Sequence, residues 1–327
     1  MTKRSNPFQS IYEACNAGNS REKLAALPAF PRLLDIEATN SCNFRCLMCP
    51  TGNHSMRRKT GFMTEEVYQK IIDEIRETRT PLRFIQWGEP LLHPHILKFL
   101  RIAHEHGILT HLNTNGSKLS REVIEELIDS GLDSIKFSFQ GVDTKSYLEM
   151  RSTDFFEELM HWVKLFWEIR GDRQLPYIHV STTITYESLA TVSAFKERVG
   201  EFVDYVSVGR TMLDQIDLNA VRLRPTEVDR LRWLKEQESV VKVHPECPEV
   251  FDKMSINWDG SVSACCADAD EKMVIGSILD SSLQSMWSNE KMNYYRNKLV
   301  EMRHDELELC RNCWDYQSLQ IQGIQKL

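Results

Sequence analysis

The sequence predicts an α/β protein: an open, partial parallel β/α barrel of about six repeats, followed by a small C-terminal domain made of a β-hairpin and a helix. Three observations carry this expectation. Short apolar, β-branched runs alternate with helical patterns from residue 33 to residue 222. About six such repeats are too few to close an eight-fold barrel. After Arg222 the alternation stops, and Asp259-Gly260 separates two short β-like runs as a hairpin turn does.

The first strand is expected over Leu33–Thr39. Thr64 is a natural N-cap for a helix that places Val67, Ile71, Ile72 and Ile75 on one face. The second strand covers Leu82–Trp87, and the helix after it, His95–His106, stops at Gly107. A third strand covers Ile108–Asn113, and Ser120 caps a helix that ends near Gly131. The fourth, fifth and sixth strands fall on Ser134–Phe139, Ile178–Ile184 and Tyr205–Val208. A connector helix is expected from Thr226 to Glu238 and a last helix over Ser281–Val300. The chain thus divides into a weakly patterned extension (1–30), a barrel core (31–225) and a C-terminal domain (226–327).

The composition bounds the function. Of 327 residues, 42% are hydrophobic and 27% charged, as in ordinary globular chains with a sizeable core. A net charge of -7 leaves no basic footprint for nucleic acid. The sequence has no run of eighteen apolar residues to cross a membrane and no N-terminal apolar h-region of a secretory signal. The expectation is a cytoplasmic protein, in which nine cysteines serve metal or redox chemistry rather than disulfides.

The segment EATNSCNFRCLMCPTG, residues 37–52, places Cys42, Cys46 and Cys49 in one tight loop behind the first strand. Three thiolates can wrap one inorganic core, and a cubane iron–sulfur cluster then keeps one iron without a protein ligand. An incomplete shell marks a place for substrate or cofactor. Zinc competes for the same thiols, with His54 as a possible fourth ligand. The sequence also shows Gln86-Trp87-Gly88-Glu89-Pro90 at the end of the second strand, Asn113 at the end of the third and Ser138-Phe139-Gln140-Gly141 at the end of the fourth. Parallel-sheet proteins bind ligands at those strand ends.

At these residues the chain resembles the radical S-adenosylmethionine (SAM) superfamily, over about residues 33 to 320. The resemblance implies that Cys42, Cys46 and Cys49 hold a [4Fe–4S] cluster whose open iron is chelated by SAM, giving a 5′-deoxyadenosyl radical that abstracts hydrogen from a substrate C–H. It implies that Gly88 and Glu89 meet the SAM amino group, that Ser138 and Gln140 bond the ribose, that Asn113, Thr114 and Asn115 line the same face, and that Arg151 reaches the SAM carboxylate. Met48 stands where the family often has an aromatic residue near the adenine.

Cys247, Cys265, Cys310 and Cys313 form a second set, two flanking the hairpin and two in a Cys-x2-Cys. Four thiols suit either zinc or a [4Fe–4S] cluster. Their order resembles the twitch domain, a shortened SPASM domain, which implies an auxiliary [4Fe–4S] cluster. Cys266 is then a spare thiol: a small buried residue, an exchange partner for Cys265, or a hydrogen-atom donor to a substrate radical. If Cys265 and Cys266 lie on an extended segment, they point to opposite sides. Cys15 reads as structural, the histidines at 93, 95, 104, 106 and 111 do not converge at helical spacing, and the tryptophans at 162, 167 and 233 read as core.

The resemblance implies an oxidoreductase that dehydrogenates a small carbohydrate-like or aminocyclitol-like substrate, with an epimerase using Cys266 as the alternative and a peptide-modifying enzyme as the third. Residues 1–30 are too few for a peptide leader-binding domain. A flavodoxin or ferredoxin is the implied reductant, and Arg210 stands where it could bind an anion or hydroxyls.

Overall fold

The computed structural model describes residues 4–211, 213, 216–237, 247 and 249–313. Two short helices, α1 (Gln9–Asn16) and α2 (Ser20–Ala25), precede the barrel strands. The core then runs β1 (Leu33–Ile36), α3 (Glu65–Ile75), β2 (Leu82–Phe84), α4 (Ile96–Glu105), β3 (Thr110–Thr114), α5 (Arg121–Asp129) and β4 (Ser134–Ser138). It continues through α6 (Thr144–Arg151), α7 (Phe156–Arg170), β5 (Tyr177–Ile184), α8 (Leu189–Gly200) and β6 (Tyr205–Arg210). Strands β1 to β6 pair in parallel, each with the next. The helices start where their caps dictate: Thr64 accepts the Val67 N–H and Ser120 the Val123 N–H.

Side-chain alternation divides the sheet into two faces. On β5, Ile178, Val180, Thr182 and Ile184 are buried, whereas His179, Ser181 and Thr183 between them are half-buried. On β4, Ile135 and Phe137 are buried while Lys136 and Ser138 are half-buried. The apolar face packs against the helices in one continuous core. The other face lines a polar lumen. Phe8 and Tyr12 of α1 close it from below, Phe8 edge-on to His111 at 5.7 Å and Tyr12 under the Arg83 guanidinium at 5.8 Å.

The C-terminal part comprises α9 (Pro225–Gln237), α10 (Glu249–Asp252), β7 (Lys253–Ile256), β8 (Ser261–Ser263), β9 (Val274–Ser277), α11 (Leu283–Trp287) and α12 (Glu290–Val300). The expected hairpin is β7 and β8, antiparallel, with Gly260 at φ +88° in the turn. It does not stand apart. Strand β7 pairs in parallel with β1, so among the described residues one nine-stranded sheet runs β6-β5-β4-β3-β2-β1-β7-β8-β9.

Several expectations need correction. The first three strands are shorter or shifted, because the chain leaves the sheet early to form the loops at the strand ends. The expected helix over Ser281–Val300 is two helices, interrupted where the Asn289 side chain accepts the Met292 N–H and starts the second. The foreseen end of α9 at Glu238 lies outside the described residues. The weakly patterned extension contains two helices, the second opened by a capping box of Asn19 and Glu22. Trp233 is half-exposed, since Leu231 and Leu234 carry the buried face of α9. No helix among the described residues is long and apolar enough to cross a membrane.

Candidate active site

The loop behind β1 folds back on itself. The Cys49 N–H donates to the Cys46 carbonyl (3.2 Å), the Asn53 N–H to the Cys49 carbonyl (2.8 Å), and Asn53 Nδ2 to the Leu47 carbonyl (3.0 Å). At Gly52 a Cβ would sit 2.4 Å from the Cys46 nitrogen, so only glycine allows this approach. Burial pushes the Cys42 thiol up to about 12, and the neighbouring charges of Cys46, Glu89 and Cys49 push it the same way. Two N–H donors face the sulfurs: Asn115 Nδ2 lies 3.8 Å from Cys42 Sγ and Arg151 Nη1 3.6 Å from Cys46 Sγ. His54 turns away, exposed, with its Nε2 2.9 Å from Arg45 Nη2.

Arg151 is buried, stacks near Tyr147 and Phe44, and donates Nη2 to the Ser138 carbonyl, while its Nε has no hydrogen-bond partner. Glu89 is buried as well. Its carboxylate accepts from Thr114 Oγ1 (2.8 Å), the Leu91 N–H (3.0 Å) and the Asn115 N–H (2.7 Å), and burial pushes its pKa up. It thereby ties the end of β2 to the end of β3, and four lone pairs leave it room for a further donor. Gly88 packs so tightly on the Thr39 carbonyl that a Cβ would lie 2.0 Å from it. Gln140 donates to the Thr183 carbonyl (3.1 Å) and Thr211 Oγ1 and accepts from Thr183 Oγ1 (2.6 Å), clamping the ends of β4, β5 and β6. Asn113 Oδ1 bonds the His111 ring at 2.8 Å, and Ser138 faces the lumen. Thr114 and Asn115, expected beside Asn113 at the end of the third strand, both bond Glu89.

A cavity of ≈ 480 Å³ opens over these strand ends. Met48 and Trp87 line one side, Gln140, Thr183 and Arg210 another, and Ala267 and Leu309 of the C-terminal part the third. The indole Nε1 of Trp87 and the amide Nε2 of Gln86 are buried without partners, and Gln86 holds φ +89°.

The second cysteine set also converges. Charge on Cys247 acts on both Cys265 and Cys310, and burial pushes the Cys310 thiol up to about 12. The Ala267 N–H points at Cys265 Sγ (3.4 Å), and the Cys313 N–H donates to the Cys310 carbonyl (3.0 Å). Cys265 and Cys266 do not point apart. They sit at a turn after β8, not on an extended segment, and their thiols hydrogen-bond, which is the first cause of the raised Cys265 pKa. Cys266 Sγ lies 3.7 Å from Glu249 Oε2 and does not line the cavity.

Spacing bears on the metal. Zn–S bonds of about 2.3 Å in a tetrahedron bring sulfurs about 3.8 Å apart. Among the described residues the one trio of ligand atoms within 4.8 Å of one another is Asp35, Glu249 and Cys266. Those carboxylates are already paired, Asp35 with Arg83 and Glu249 with Lys253.

Residues 36–197 match the radical SAM superfamily, and residues 247–314 match an iron–sulfur cluster-binding domain, SPASM. The chain belongs to the radical SAM superfamily. It is 26% identical over 240 residues to an AdoMet-dependent heme synthase of Methanosarcina barkeri, covering 70% of this chain and 65% of that protein's length. It is 22% identical over 293 residues to the S-adenosyl-L-methionine-dependent 2-deoxy-scyllo-inosamine dehydrogenase of Niallia circulans, covering 86% of this chain and 92% of that one. The crystal structure of BtrN in complex with AdoMet and 2-DOIA superposes with a TM-score of 0.56 at 17% identity, over 87% of this chain and 93% of that one, and shares its fold. The chain is thus a radical SAM enzyme with an auxiliary-cluster domain. SAM and a [4Fe–4S] cluster come with the first domain and auxiliary iron–sulfur chemistry with the second. The residues present fit both groups: two sets of buried or half-buried free thiols, N–H donors aimed at two sulfurs, and unpartnered Trp87, Gln86 and Arg151 nitrogens at the strand ends.

Proposed function

We propose that Cys42, Cys46 and Cys49 hold the SAM-binding cluster, that Cys247, Cys265, Cys310 and Cys313 hold an auxiliary [4Fe–4S] cluster, and that the enzyme dehydrogenates a small hydroxylated, sugar-like molecule. The division into a core (31–225) and an auxiliary-cluster part (226–327) belongs to the same proposal. The observation that carries it is the cavity that meets the first cysteine loop at Met48 and the C-terminal part at Ala267 and Leu309. A substrate there would be bordered by the loop that carries the first thiol set and by the segments that flank the second.

When bound, SAM and its cluster supply the radical that removes a hydrogen atom from a substrate carbon. The chain's own residues do the rest. Met48 offers a polarisable thioether to the adenine, and Gly88, Glu89, Asn113, Ser138 and Gln140 form the polar rim of the strand ends. Arg151 places a cation beside Cys46 and the Ser138 carbonyl, where it can also meet a carboxylate of SAM. An auxiliary cluster held by Cys247, Cys265, Cys310 and Cys313 would accept the second electron of the oxidation, the substrate hydroxyl giving up its proton as the carbonyl forms. A flavodoxin or ferredoxin would supply the priming electron. The Niallia circulans relative supports dehydrogenation. The epimerase alternative needs Cys266 at the substrate, and Cys266 stands outside the cavity lining.

The test is stoichiometry in deuterated buffer. Dehydrogenation consumes one SAM per two-electron oxidation and leaves no solvent deuterium on carbon. Deuterium at a substrate carbon would sink this reading in favour of epimerisation.

A further inference from the structure

Asn115 follows β3 and is buried, yet it does not line the cavity over the strand ends. Its side chain meets the cysteine loop instead. The orientation of the amide is fixed by a donor that cannot reverse: the Ser117 backbone N–H bonds one end of it at 2.9 Å, so that end is Oδ1. The other end is Nδ2, with two hydrogens. One goes to Asn43 Oδ1 (3.2 Å), and the other faces Cys42 Sγ (3.8 Å). Asn43 Nδ2 in turn donates to Ser117 Oγ (2.8 Å), and Ser117 Oγ donates to Asn115 Oδ1 (2.6 Å). The three side chains close a ring whose donors run in one sense, so each bond polarises the next. Its members come from two loops: Asn115 and Ser117 follow β3, and Asn43 is the neighbour of Cys42. The Phe44 backbone N–H also faces Cys42.

The main chain of Asn115 has a different partner. Its N–H donates to Glu89 Oε2 at 2.7 Å. The residue is thus divided: its backbone supports the carboxylate proposed to meet the SAM amino group, and its side chain turns to a sulfur.

We propose that the Asn115 side chain is a positioning residue for the iron–sulfur site and not for SAM: it holds a hydrogen-bond donor on Cys42 and so makes the cluster easier to reduce. This rests on Cys42, Cys46 and Cys49 holding the SAM-binding cluster. A thiolate that accepts a hydrogen bond gives less negative charge to its iron, which favours the reduced state. A free amide could turn its oxygen to the sulfur and repel it. The Ser117 N–H and the ring through Asn43 forbid that rotation.

The test is a redox titration of the anaerobically reconstituted protein, followed by electron paramagnetic resonance with the auxiliary cluster as internal reference, beside equilibrium dialysis of SAM. Wild type, Asn115→Ala and Asn115→Asp are compared. Aspartate keeps the shape and the acceptor for Ser117 but puts an oxygen where the donor stood. The midpoint of the SAM-binding cluster is expected to become more negative in Asn115→Ala and more so in Asn115→Asp. The auxiliary midpoint and the SAM affinity are expected to stay unchanged, because the Glu89 contact is made by the backbone. The midpoint is read on the loaded fraction, so partial loss of iron does not obscure it. A midpoint unmoved in both variants overturns the proposal, and weakened SAM binding beside it would show that the side chain serves the cofactor. An equal shift of both clusters overturns it too. So does failure of both variants to load the first cluster, since the side chain then builds the site and does not tune it. No SAM-binding cluster signal in wild type overturns the cluster assignment and this proposal together, whereas a wild-type signal that neither variant moves overturns this proposal alone.

Discussion

Arg58 grips Glu37 with Nη1 and Nη2, at 2.9 and 2.6 Å, and donates its Nε to the Ala269 carbonyl at 2.7 Å. Both side chains are almost fully buried. Next to it the Arg57 N–H donates to Asp270 (2.7 Å). The segment that follows Cys49 is thus fastened at once to the end of β1 and to the loop that follows Cys265.

Replacing Arg58 by Met strands the buried Glu37 carboxylate. The expected loss is about 3–5 kcal/mol in urea unfolding of the apo protein, because an uncompensated buried charge is left behind. Adding Glu37→Gln should recover part of that loss. An unchanged midpoint in Arg58→Met would show that the pair contributes little.

Gly52→Ala forces a Cβ to within 2.4 Å of the Cys46 nitrogen and 2.5 Å of its carbonyl oxygen. The loop must open to relieve this. Iron analysis after reconstitution should fall by about half, with the auxiliary site still filled, because only one of two [4Fe–4S] sites is disturbed. Full iron content would mean that the loop adapts without cost to the ligands.

Arg151→Met removes a buried cation and an N–H donor from Cys46 Sγ. Hydrogen bonds and positive charge at a cluster's sulfurs favour the reduced state. The midpoint of the SAM-binding cluster, followed by electron paramagnetic resonance, should move to more negative potential while the auxiliary cluster stays put. A shift in both, or in neither, contradicts the placement of Arg151.

The adjacent thiols should separate. Cys265→Ala is expected to lose the auxiliary cluster and product while SAM is still cleaved. Cys266→Ala is expected to keep full iron content and most of the product. Product loss in Cys266→Ala with intact SAM cleavage would support hydrogen-atom donation instead.

Lys136 also carries a pH signature. Its folded pKa is about 8, against an ordinary lysine value of 10.5. Between those values the unfolded chain binds more protons than the folded one, so stability rises with pH across that window. Asp35, Arg83, His111, His179 and Cys266 face it, and the two histidines are neutral throughout. From pH 7.5 to 9.5 wild type should gain about 1–2 kcal/mol relative to Lys136→Met in urea unfolding. Parallel pH profiles would mean that Lys136 is paired or solvated.

The local grammar of the chain made much of this fold legible. Thr64 and Ser120 announced their helices, Gly107 ended one, and Asp259-Gly260 placed the hairpin turn, because caps and turns depend on a few neighbouring residues. The three-cysteine loop marked a metal or cluster site by its spacing, and the family resemblance supplied the cluster. What stayed hidden was set by distant partners. That β7 pairs with β1 has no signature in either segment, since sheet register is decided by long-range packing. Lys136 looked like any polar residue of an alternating strand, and only the assembled sheet shows that its register partners are Asn113 and His179. The side-by-side thiols of Cys265 and Cys266 depend on a turn that the sequence offered as extended.

The pairing of β7 with β1 makes the auxiliary part a chaperone of the core's own rim. A chain cut after β6 would bare the whole length of Leu33–Ile36, an apolar strand with its amide and carbonyl groups unmet. Such a border recruits other chains into intermolecular sheets. The two halves of this enzyme therefore cannot be exchanged like beads between relatives unless the incoming half brings a strand to cover that border.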